Sequence, residues 1–283
     1  MLAKSYCKLG GQSHDQKYFR FHESATIDFD SIHQILRGKL LGTIIHNAIP
    51  SKDREIVAQN FWNSEVAKQR NDGVPAITIG AYHYKKTLNE YFDQVEQFKP
   101  HVDKLFHGAN HFVNSFINSL TIYFSKKNIH FRLAKHNERY ASRFVLRTCN
   151  SMSDFIILPH DDVAQCRTHN QKDFEITKIP NHEMVAVNMC LENFNDGELV
   201  MWNIQPNDAT RKKLNIEETG YPYPAYLADD YEKITIPIQV GDIYCFNGRN
   251  IHAVYSKLKT ERFRTTITFF MGFIDNQTII YWT

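Results

Sequence analysis

The sequence predicts a mainly β protein of the α+β class, with a jelly-roll or barrel core in the second half of the chain. Three observations support this fold class. Seven short segments rich in β-branched or aromatic residues follow one another between residues 143 and 273. A helical first half precedes them, and one long segment with several prolines and tyrosines interrupts them. Many short strands separated by turns are typical of closed or two-layered antiparallel folds.

Residues 1–135 are predicted to form mainly helical support for this core. Segments 31–37 and 86–98 have helical patterns, and the β-branched segment 42–49 is predicted to be a strand. The clearest helix spans residues 100–125, where apolar side chains recur at steps of three and four residues. We expect this helix to pack on the outer face of the larger sheet.

A further helix is predicted directly after Pro50, which ends the strand at 42–49. Ser51 can cap this helix through its hydroxyl, and Asp53 and Glu55 suit the positive end of the helix dipole. The helix should continue to about Asn63.

Residues 136–283 are predicted to form the jelly-roll core. Its expected strands are 143–148, 154–158, 184–191, 198–202, 233–238, 242–247 and 264–273. Residues 203–232 interrupt the series and are rich in proline and tyrosine. A long insertion in a compact β domain is usually functional, so we interpret this stretch as a lid and call it the lid segment. Residues 1–283 are then expected to form a single catalytic domain.

Composition limits the partners and the location of the protein. The formal net charge is +2 and no basic stripe occurs, so a nucleic-acid partner is not expected. The five cysteines are scattered, odd in number and without a CxxC pair, which favours a reducing compartment. Residues 1–19 contain no apolar signal region, and no apolar run has the length of a membrane span. We therefore expect a cytoplasmic protein without membrane or nucleic-acid partners.

A possible metal site begins where the apolar strand at 154–158 enters charged residues. His160 and Asp162 are two residues apart, and side chains at that spacing point to the same side of an extended chain. His252 follows another predicted strand far along the sequence. Two histidines and one carboxylate on one face of a metal form the triad of non-haem iron(II) oxygenases. Asp161 is the competing ligand, but its parity predicts that it points outward or meets the substrate.

The last long strand carries an unusual set of polar side chains. Arg264, Thr266 and Thr268 share one face, while the opposite face is mainly apolar. A buried arginine without an anion is costly, so a carboxylate is expected against Arg264. A metal and a carboxylate clamp together fit 2-oxoglutarate, with Arg264 and Thr266 at its distal carboxylate. Arg262 has the same parity as Arg264 and is the alternative anchor.

The order of these residues resembles that of the Fe(II)/2-oxoglutarate oxygenases: an HxD pair, a distant histidine and Arg-x-Thr about a dozen residues later. The residues 196–199 (DGEL) resemble the turn and strand that follow the metal pair in that family. More specifically, 241–252 (GDIYCFNGRNIH) and 280–282 (IYW) resemble the hapalindole-type alkaloid halogenases and the free-amino-acid halogenases and hydroxylases. The similarity extends from about residue 30 to the end of the chain.

This resemblance implies a double-stranded β-helix, which is a cupin-like jelly roll, and an enzyme that uses Fe(II), 2-oxoglutarate and dioxygen. The resembled halogenases carry a small residue, usually glycine, where Asp162 stands. The resemblance therefore implies hydroxylation of an unactivated C–H bond, without halide. The expected substrate is a small molecule, a free amino acid or a metabolite derived from one. Desaturation, epoxidation or cyclisation, oxidation of an alkaloid-type product, and a non-catalytic binding or sensor protein are the alternatives.

The remaining candidate residues are assigned on weaker grounds. Asn188, a polar residue inside a strand, is predicted to reach the cosubstrate. Arg143 and Arg147 lie on the strand before the metal motif and are candidates for contact with cosubstrate or substrate, although packing or salt bridges would also explain them. His107 and His111 lie four apart on the predicted long helix, but no third ligand accompanies them. The candidate substrate and lid residues are Asp161, Trp202, Tyr221, Tyr223, Asn247, Trp282 and Arg143. The sequence does not identify the substrate, the attacked carbon or the oligomeric state.

Overall fold

The computed structural model describes residues 8–150, 153–194, 197–258 and 263–283. The predicted turn at 195–196, the alternative anchor Arg262 and the first cysteine, Cys7, lie outside these ranges. No helix in the described residues is long and apolar enough to cross a membrane. The helices of this part of the chain are α1 (Phe29–Leu36), α2 (Ser51–Trp62), α3 (Leu88–Lys104), α4 (Phe112–Ser125) and α5 (Asp208–Lys213).

The predicted long helix at 100–125 is wrong, because two helices occupy this region. Pro100 lies inside α3, which ends at Lys104, and Gly108 turns the connection with a φ of 85°. His111 then begins α4 by accepting a hydrogen bond from the Asn114 backbone N–H at 3.3 Å. The apolar periodicity continued across the break because α3 and α4 bury side chains in the same core cluster. The apolar periodicity over residues 100–125 therefore indicated a shared core and not one continuous helix.

The start of α2 also differs from the prediction. Pro50 occupies the N-cap position and no side chain caps the helix, so Ser51 is its first residue and not its cap. Asp53 accepts hydrogen bonds from the Asn110 backbone N–H at 3.0 Å and from the Asn110 side chain. This acid therefore ties α2 to the connection before α4.

The strands of the described residues include all seven predicted segments, with ends shifted by a few residues. They are β1 (Gly11–Gln12), β2 (Phe21–Ser24), β3 (Gly42–Ile45), β4 (Lys68–Gln69), β5 (Ile77–Ile79), β6 (His130–Leu133), β7 (Lys135–His136), β8 (Arg139–Tyr140), β9 (Val145–Cys149), β10 (Phe155–His160), β11 (Met184–Glu192), β12 (Glu198–Trp202), β13 (Gln205–Pro206), β14 (Lys233–Ile236), β15 (Ile243–Asn247), β16 (His252–Tyr255), β17 (Arg264–Phe273) and β18 (Thr278–Trp282).

Two main sheets contain most of these strands. The smaller has the order β10-β16-β12-β14, and the larger contains β2-β3-β15-β11-β17-β9-β5-β4, with β18 and β6 joined through β17. From β9 to β17 the chain crosses repeatedly between them and remains in the smaller sheet only from β12 to β14. β9, β11, β15 and β17 belong to the larger sheet, and β10, β12, β14 and β16 belong to the smaller one. The pairs among these eight strands are antiparallel.

The two faces of the larger sheet pack against different layers. Val187 and Phe269 lie in the same core cluster as side chains of α1, α2, α3 and α4. The ring of Phe116 on α4 lies 6.4 Å from that of Phe269, so this helix covers the outer face as predicted. Ala186 and Phe246 belong instead to a cluster with Leu199 and other residues of the smaller sheet. The inner faces of the sheets therefore enclose the space in which the candidate site lies.

Candidate metal and cosubstrate site

Three candidate ligands converge where the smaller sheet meets the inner pocket. One ligand atom each from His160, Asp162 and His252 can be chosen so that all lie within 4.8 Å of one another. β10 and β16 pair with His160 directly opposite His252, and their ring centroids are 4.1 Å apart. Asp162 follows β10, and its backbone N–H donates to the Gly248 carbonyl at 2.8 Å. Strand pairing thus brings together residues that lie about ninety positions apart in sequence.

Both histidines present the same ring nitrogen to this centre. His160 Nδ1 lies 2.8 Å from the Leu158 carbonyl oxygen, and His252 Nδ1 lies 2.9 Å from the Asn250 carbonyl oxygen. A carbonyl oxygen only accepts, so each Nδ1 carries a hydrogen, and in the neutral ring Nε2 is then the nitrogen with the lone pair. The Nε2 atoms lie 3.7 Å and 3.3 Å from the Asp162 carboxylate oxygens. These backbone contacts fix the tautomer that a divalent metal needs.

The surroundings of Asp162 keep its carboxylate charged and in place. Burial acts to raise the pKa of this carboxyl, but the adjacent His252 and His160 outweigh burial, so the pKa lies below its ordinary value. Desolvation in the pocket lowers the pKa of His160 to about 3, so its imidazole is neutral. A Cβ atom at Gly248 would lie 3.0 Å from Asp162 Oδ2. The glycine of the 241–252 motif thus leaves room for the ligand.

A narrow inner pocket extends from the three ligands toward Arg264. Arg264 is buried on β17 and donates from Nη2 to the Tyr244 hydroxyl, and its Nε has no partner among the described residues. A Cβ atom at Gly197 would lie 2.4 Å from Arg264 Cδ. That glycine therefore leaves space for the arginine side chain. Tyr244 lines the same pocket as His160, Asp162 and His252.

Other polar side chains share the inner face of the larger sheet. Asn188 lines the pocket and accepts a hydrogen bond from the Thr268 hydroxyl at 2.8 Å. Thr266 is buried on the same strand face as Arg264. Arg147 lies directly opposite Thr266 in the pairing of β9 with β17, and it also lines the pocket. Its Nε is buried without a partner among the described residues. Arg147 was one of two candidate arginines in the sequence and was assigned no site role, because its register against Thr266 is visible only in the fold.

Asp161 has a different role from its neighbour Asp162. Its buried carboxylate accepts hydrogen bonds from Arg211 Nε at 3.0 Å, from the Tyr223 hydroxyl at 2.7 Å and from the Ala164 backbone N–H at 3.0 Å. Arg211 and Tyr223 belong to the lid segment. Asp161 therefore binds the lid segment to the metal motif and does not lie free for a substrate, and Tyr223 is used in the same contact.

The lid segment is folded over the site with short elements of its own. It contains β13, which pairs with β1, the helix α5 and a 3₁₀ turn at Ala225–Leu227. The Tyr223 backbone N–H donates to the Pro159 carbonyl at 2.8 Å, and the Asp161 N–H donates to the Gly220 carbonyl at 3.0 Å. These contacts fasten it beside β10.

An outer chamber opens on the far side of the metal ligands. Tyr221 lines it and places its ring 5.8 Å from the ring of His160. A part of the remaining wall was not predicted, because it comes from the irregular segment on either side of β5. The lining residues from that segment are Arg70, Val74, Tyr82, His83 and Tyr84. The aromatic run directly after β5 was the signal in the sequence that could have identified it.

The other proposed substrate residues do not line this chamber or the inner pocket. Asn247 donates to Glu183 at 2.7 Å, and Trp202 packs in the core beneath the lid segment. Trp282 lies behind Phe270, with their rings 6.0 Å apart, and Phe270 lines both cavities. Arg143 pairs with Asp103 and donates to Asn114 on the outside of the molecule, so its position does not support contact with a substrate.

The competing histidine pair is not arranged as a metal site either. His107 is exposed in the connection between α3 and α4. The ring of His111 stacks on that of Phe106, with 3.7 Å between centroids, and its Nδ1 caps α4. The His111 side chain therefore caps the start of α4, whereas the His107 side chain lies on the surface.

Known proteins are similar to this chain in sequence and in fold. Residues 17–283 match the family model of the carrier-protein-independent halogenase WelO5. The chain is 30% identical over 248 residues to the L-isoleucine 3(1)-dioxygenase of Pantoea ananatis (strain AJ13355), a match that covers 85% of this chain and 82% of the relative.

Solved structures resemble it at lower identity. An N-substituted L-amino acid dioxygenase from Burkholderia ambifaria AMMD superposes with a TM-score of 0.57 and 15% identity, covering 90% of this chain and 91% of the other. Its complex with alpha-KG gives a TM-score of 0.54 at 15% identity, with 90% of each chain covered. The predicted family is confirmed by the extent of the family match and by the curated relative. The chain belongs to the WelO5 family of carrier-protein-independent halogenases, and it is a non-haem iron dioxygenase that depends on 2-oxoglutarate.

Proposed function

We propose that this protein hydroxylates an unactivated C–H bond of a free amino acid, with iron held by His160, Asp162 and His252. One observation carries the proposal. The two Nε2 atoms and the Asp162 carboxylate face one another, while both Nδ1 atoms are already engaged by backbone carbonyls. Two neutral imidazoles and one carboxylate on one side of the metal leave positions open for a cosubstrate and dioxygen. Bound iron, dioxygen and 2-oxoglutarate supply the oxidising chemistry, and the chain orients the reactants.

Arg264 is the proposed anchor for the distal carboxylate of 2-oxoglutarate, with Thr266 beside it and Asn188 on the pocket wall. Support comes from the buried guanidinium, whose Nε is unpaired among the described residues and whose Nη2 contacts Tyr244 in the inner pocket. A guanidinium fork suits a carboxylate because it can donate two parallel hydrogen bonds. The pocket also joins Tyr244 to the metal ligands, as a cosubstrate that bridges both ends requires.

Asp162 favours hydroxylation over halogenation. Its carboxylate lies beside both histidine Nε2 atoms, where the resembled halogenases have a small residue and a halide. An anionic oxygen ligand there takes the coordination position and supplies the negative charge that a halide would supply. We therefore propose that the enzyme works without halide, although its family is named after a halogenase.

The outer chamber suits an amino acid with an apolar side chain. Val74, Ile157 and Phe270 line it together with tyrosine rings, and Ile157 and Phe270 also line the inner pocket near the metal ligands. An aliphatic group held by these residues would lie close to the oxidising centre. The curated relative from Pantoea ananatis, which is an L-isoleucine dioxygenase, supports the same substrate class. The lid segment, through Thr219 and Tyr221, would exclude water from this space.

The finer fold assignment is likewise a proposal. Eight strands divided between two antiparallel four-strand groups support a double-stranded β-helix, the jelly roll expected from the sequence. A single catalytic domain over 1–283 is supported by the core cluster, which joins α1–α4 to the larger sheet. A cytoplasmic location stays a prediction. It agrees with the four free, buried thiols of Cys149, Cys166, Cys190 and Cys245.

The test is turnover of a panel of free amino acids by the purified protein with Fe(II), 2-oxoglutarate and dioxygen. We expect succinate and a product heavier by one oxygen atom for at least one aliphatic amino acid. Mass spectrometry with and without chloride distinguishes hydroxylation from chlorination, and a mass loss of two hydrogens would indicate desaturation. Chloride-dependent incorporation by the unchanged protein contradicts the proposed role of Asp162. An absence of succinate with every substrate contradicts the proposed function.

A further inference from the structure

His83 is the most deeply buried titratable side chain of the outer chamber that no step above uses. It is 1% exposed and lies on the irregular segment after β5. It lines the chamber together with Arg147, Tyr221 and the metal ligands. Its Nε2 is buried and has no hydrogen-bond partner among the described residues. Because a buried polar atom without a partner is costly, this nitrogen is a candidate for contact with a ligand.

Gln171 determines which nitrogen of His83 carries the hydrogen. The Gln171 side-chain nitrogen donates to the carbonyl oxygens of His83 and Lys86, each at 2.7 Å. Its Oε1 is therefore the atom that faces His83 Nδ1, at 3.0 Å. Since an amide oxygen only accepts, Nδ1 must donate, and Nε2 keeps its lone pair. Burial lowers the pKa of His83 to about 4, so the ring is neutral near neutral pH and this tautomer is maintained.

The chamber therefore offers an acceptor at His83. Two cations lie close to it, but both are already engaged. Arg70 forms an ion pair with Asp72 at 2.5 Å. Lys86 donates to the Tyr82 carbonyl at 2.6 Å and lies over the Tyr82 ring, and burial lowers its pKa to about 7. Asp72 balances the charge of Arg70, and Lys86 is partly deprotonated near pH 7, so a second cation can approach the acceptor.

Arg147 supplies the complementary charge in the same chamber. Its guanidinium forms no ion pair in the part of the chain that the structure describes, and its Nε is buried without a partner. It lines the outer chamber and the inner pocket, so it lies on the boundary between substrate and cosubstrate space. A neutral acceptor and a free cation in one chamber match the two ends of a zwitterion.

We propose that the outer chamber recognises the α-amino and α-carboxylate groups of its substrate separately, with His83 Nε2 accepting a hydrogen bond from the ammonium and Arg147 binding the carboxylate. This inference rests on the proposed amino-acid hydroxylation and assigns its specificity. It leaves the apolar side chain of the substrate against Ile157 and Phe270, beside the metal ligands. His83 is a binding residue here, and it takes no part in proton transfer.

The experiment compares matched ligands by calorimetry without dioxygen, on the protein loaded with iron and 2-oxoglutarate. The probes are the protein amino acids, their analogues without the amino group, and their primary amides. For L-isoleucine these are 3-methylpentanoate and L-isoleucinamide. We expect the unchanged protein to prefer the amino acid over both analogues by about tenfold or more, as for hydrogen bonds to charged groups.

The variants separate the two contacts. His83→Phe should bind the amino acid and its analogue without the amino group equally, while still discriminating against the amide. Arg147→Met should lose discrimination against the amide and keep the preference for the ammonium. Arg147→Lys should retain part of the discrimination against the amide. Gln171→Leu keeps the imidazole but frees Nδ1, so it should also weaken the ammonium preference. Melting curves check that each variant is folded.

Three outcomes overturn the inference. His83→Phe and Gln171→Leu could both retain the full preference for the ammonium. In these variants the amino acid and its analogue without the amino group could lose affinity in parallel, which would indicate only a structural role. Finally, an amino acid that the enzyme hydroxylates could bind no better than its two analogues. Succinate formation would then support the proposed function while the inference fails, so failure of the two is distinguishable.

Discussion

The metal centre and the outer chamber are built in different ways. The candidate metal centre is formed by two paired strands, with His160 opposite His252, and its imidazole rings are oriented by backbone carbonyls. The outer chamber takes much of its wall from the irregular segment around β5 and from the lid segment. The difference indicates that the chemistry depends on the regular core, whereas the choice of substrate depends on connections that can vary without disturbing it.

The largest expected effect is loss of the metal from the candidate metal centre in the regular core. His252→Ala removes one of three ligands, so we expect iron binding and succinate formation to fall to background. Iron content after desalting and oxygen consumption measure the two. His107→Ala is the matched control, because this histidine is exposed on the connection before α4 and should change neither value. A His252→Ala protein that retains stoichiometric iron and turnover would place the metal elsewhere.

Asp162→Gly tests the carboxylate that separates this chain from the resembled halogenases. We expect hydroxylation to fall by about 100-fold or more, because a ligand and its charge are lost. Chloride can then enter the vacated position, so product analysis at high chloride is the informative measurement. Asp161→Gly is no suitable control, because Asp161 holds the lid segment. Unchanged hydroxylation by Asp162→Gly would contradict its assignment as a ligand.

Arg264→Ala tests the proposed cosubstrate anchor. Removing one member of a buried charge pair costs about 2–5 kcal/mol, so the KM for 2-oxoglutarate should rise by at least tenfold. The KM for the amino acid should change much less, because the outer chamber is intact. Steady-state kinetics with each reactant varied in turn measure the split, and Arg264→Lys should recover part of the loss. An unchanged KM for 2-oxoglutarate would shift the anchor to Arg262 or Arg147.

The same comparison explains how far the sequence could predict the molecule. The candidate ligands were recognisable because a strand places residues two apart on one side. The candidate anchor Arg264 was recognisable because a buried arginine beside threonines needs an anion. The break at Gly108 could not be predicted from the sequence, because two helices that pack against one core have a continuous apolar periodicity. His83 was missed, because its significance depends on a glutamine nearly ninety residues away. Arg147 was only one of two candidate arginines, because its significance depends on a cross-strand register.

Asp161→Asn tests the join between the two regions. The carboxylate holds Arg211 and Tyr223 of the lid segment, and breaking a buried ion pair leaves an uncompensated charge. We expect a loss of roughly 3 kcal/mol in the free energy of unfolding, measured by urea denaturation. Asp208→Asn is the matched control, because Asp208 contacts the same Arg211 from an exposed position and should cost less than about 1 kcal/mol. Equal losses of unfolding free energy in the two variants would show that the buried Asp161 contact stabilises the protein no more than the exposed Asp208 contact.

The smallest expected effect comes from Arg143, which the sequence placed near the substrate and the fold places outside. Its partners are Asp103 and Asn114, and the acid is more than half exposed. An exposed ion pair contributes about 0.2–1 kcal/mol, so Arg143→Ala should shift stability slightly and leave both KM values unchanged. Arg147→Ala, four residues later on β9, should instead raise the KM for the amino acid at least tenfold. Because both variants remove the same side chain from the same stretch of sequence, equal kinetics would show that position in the fold does not separate the two arginines.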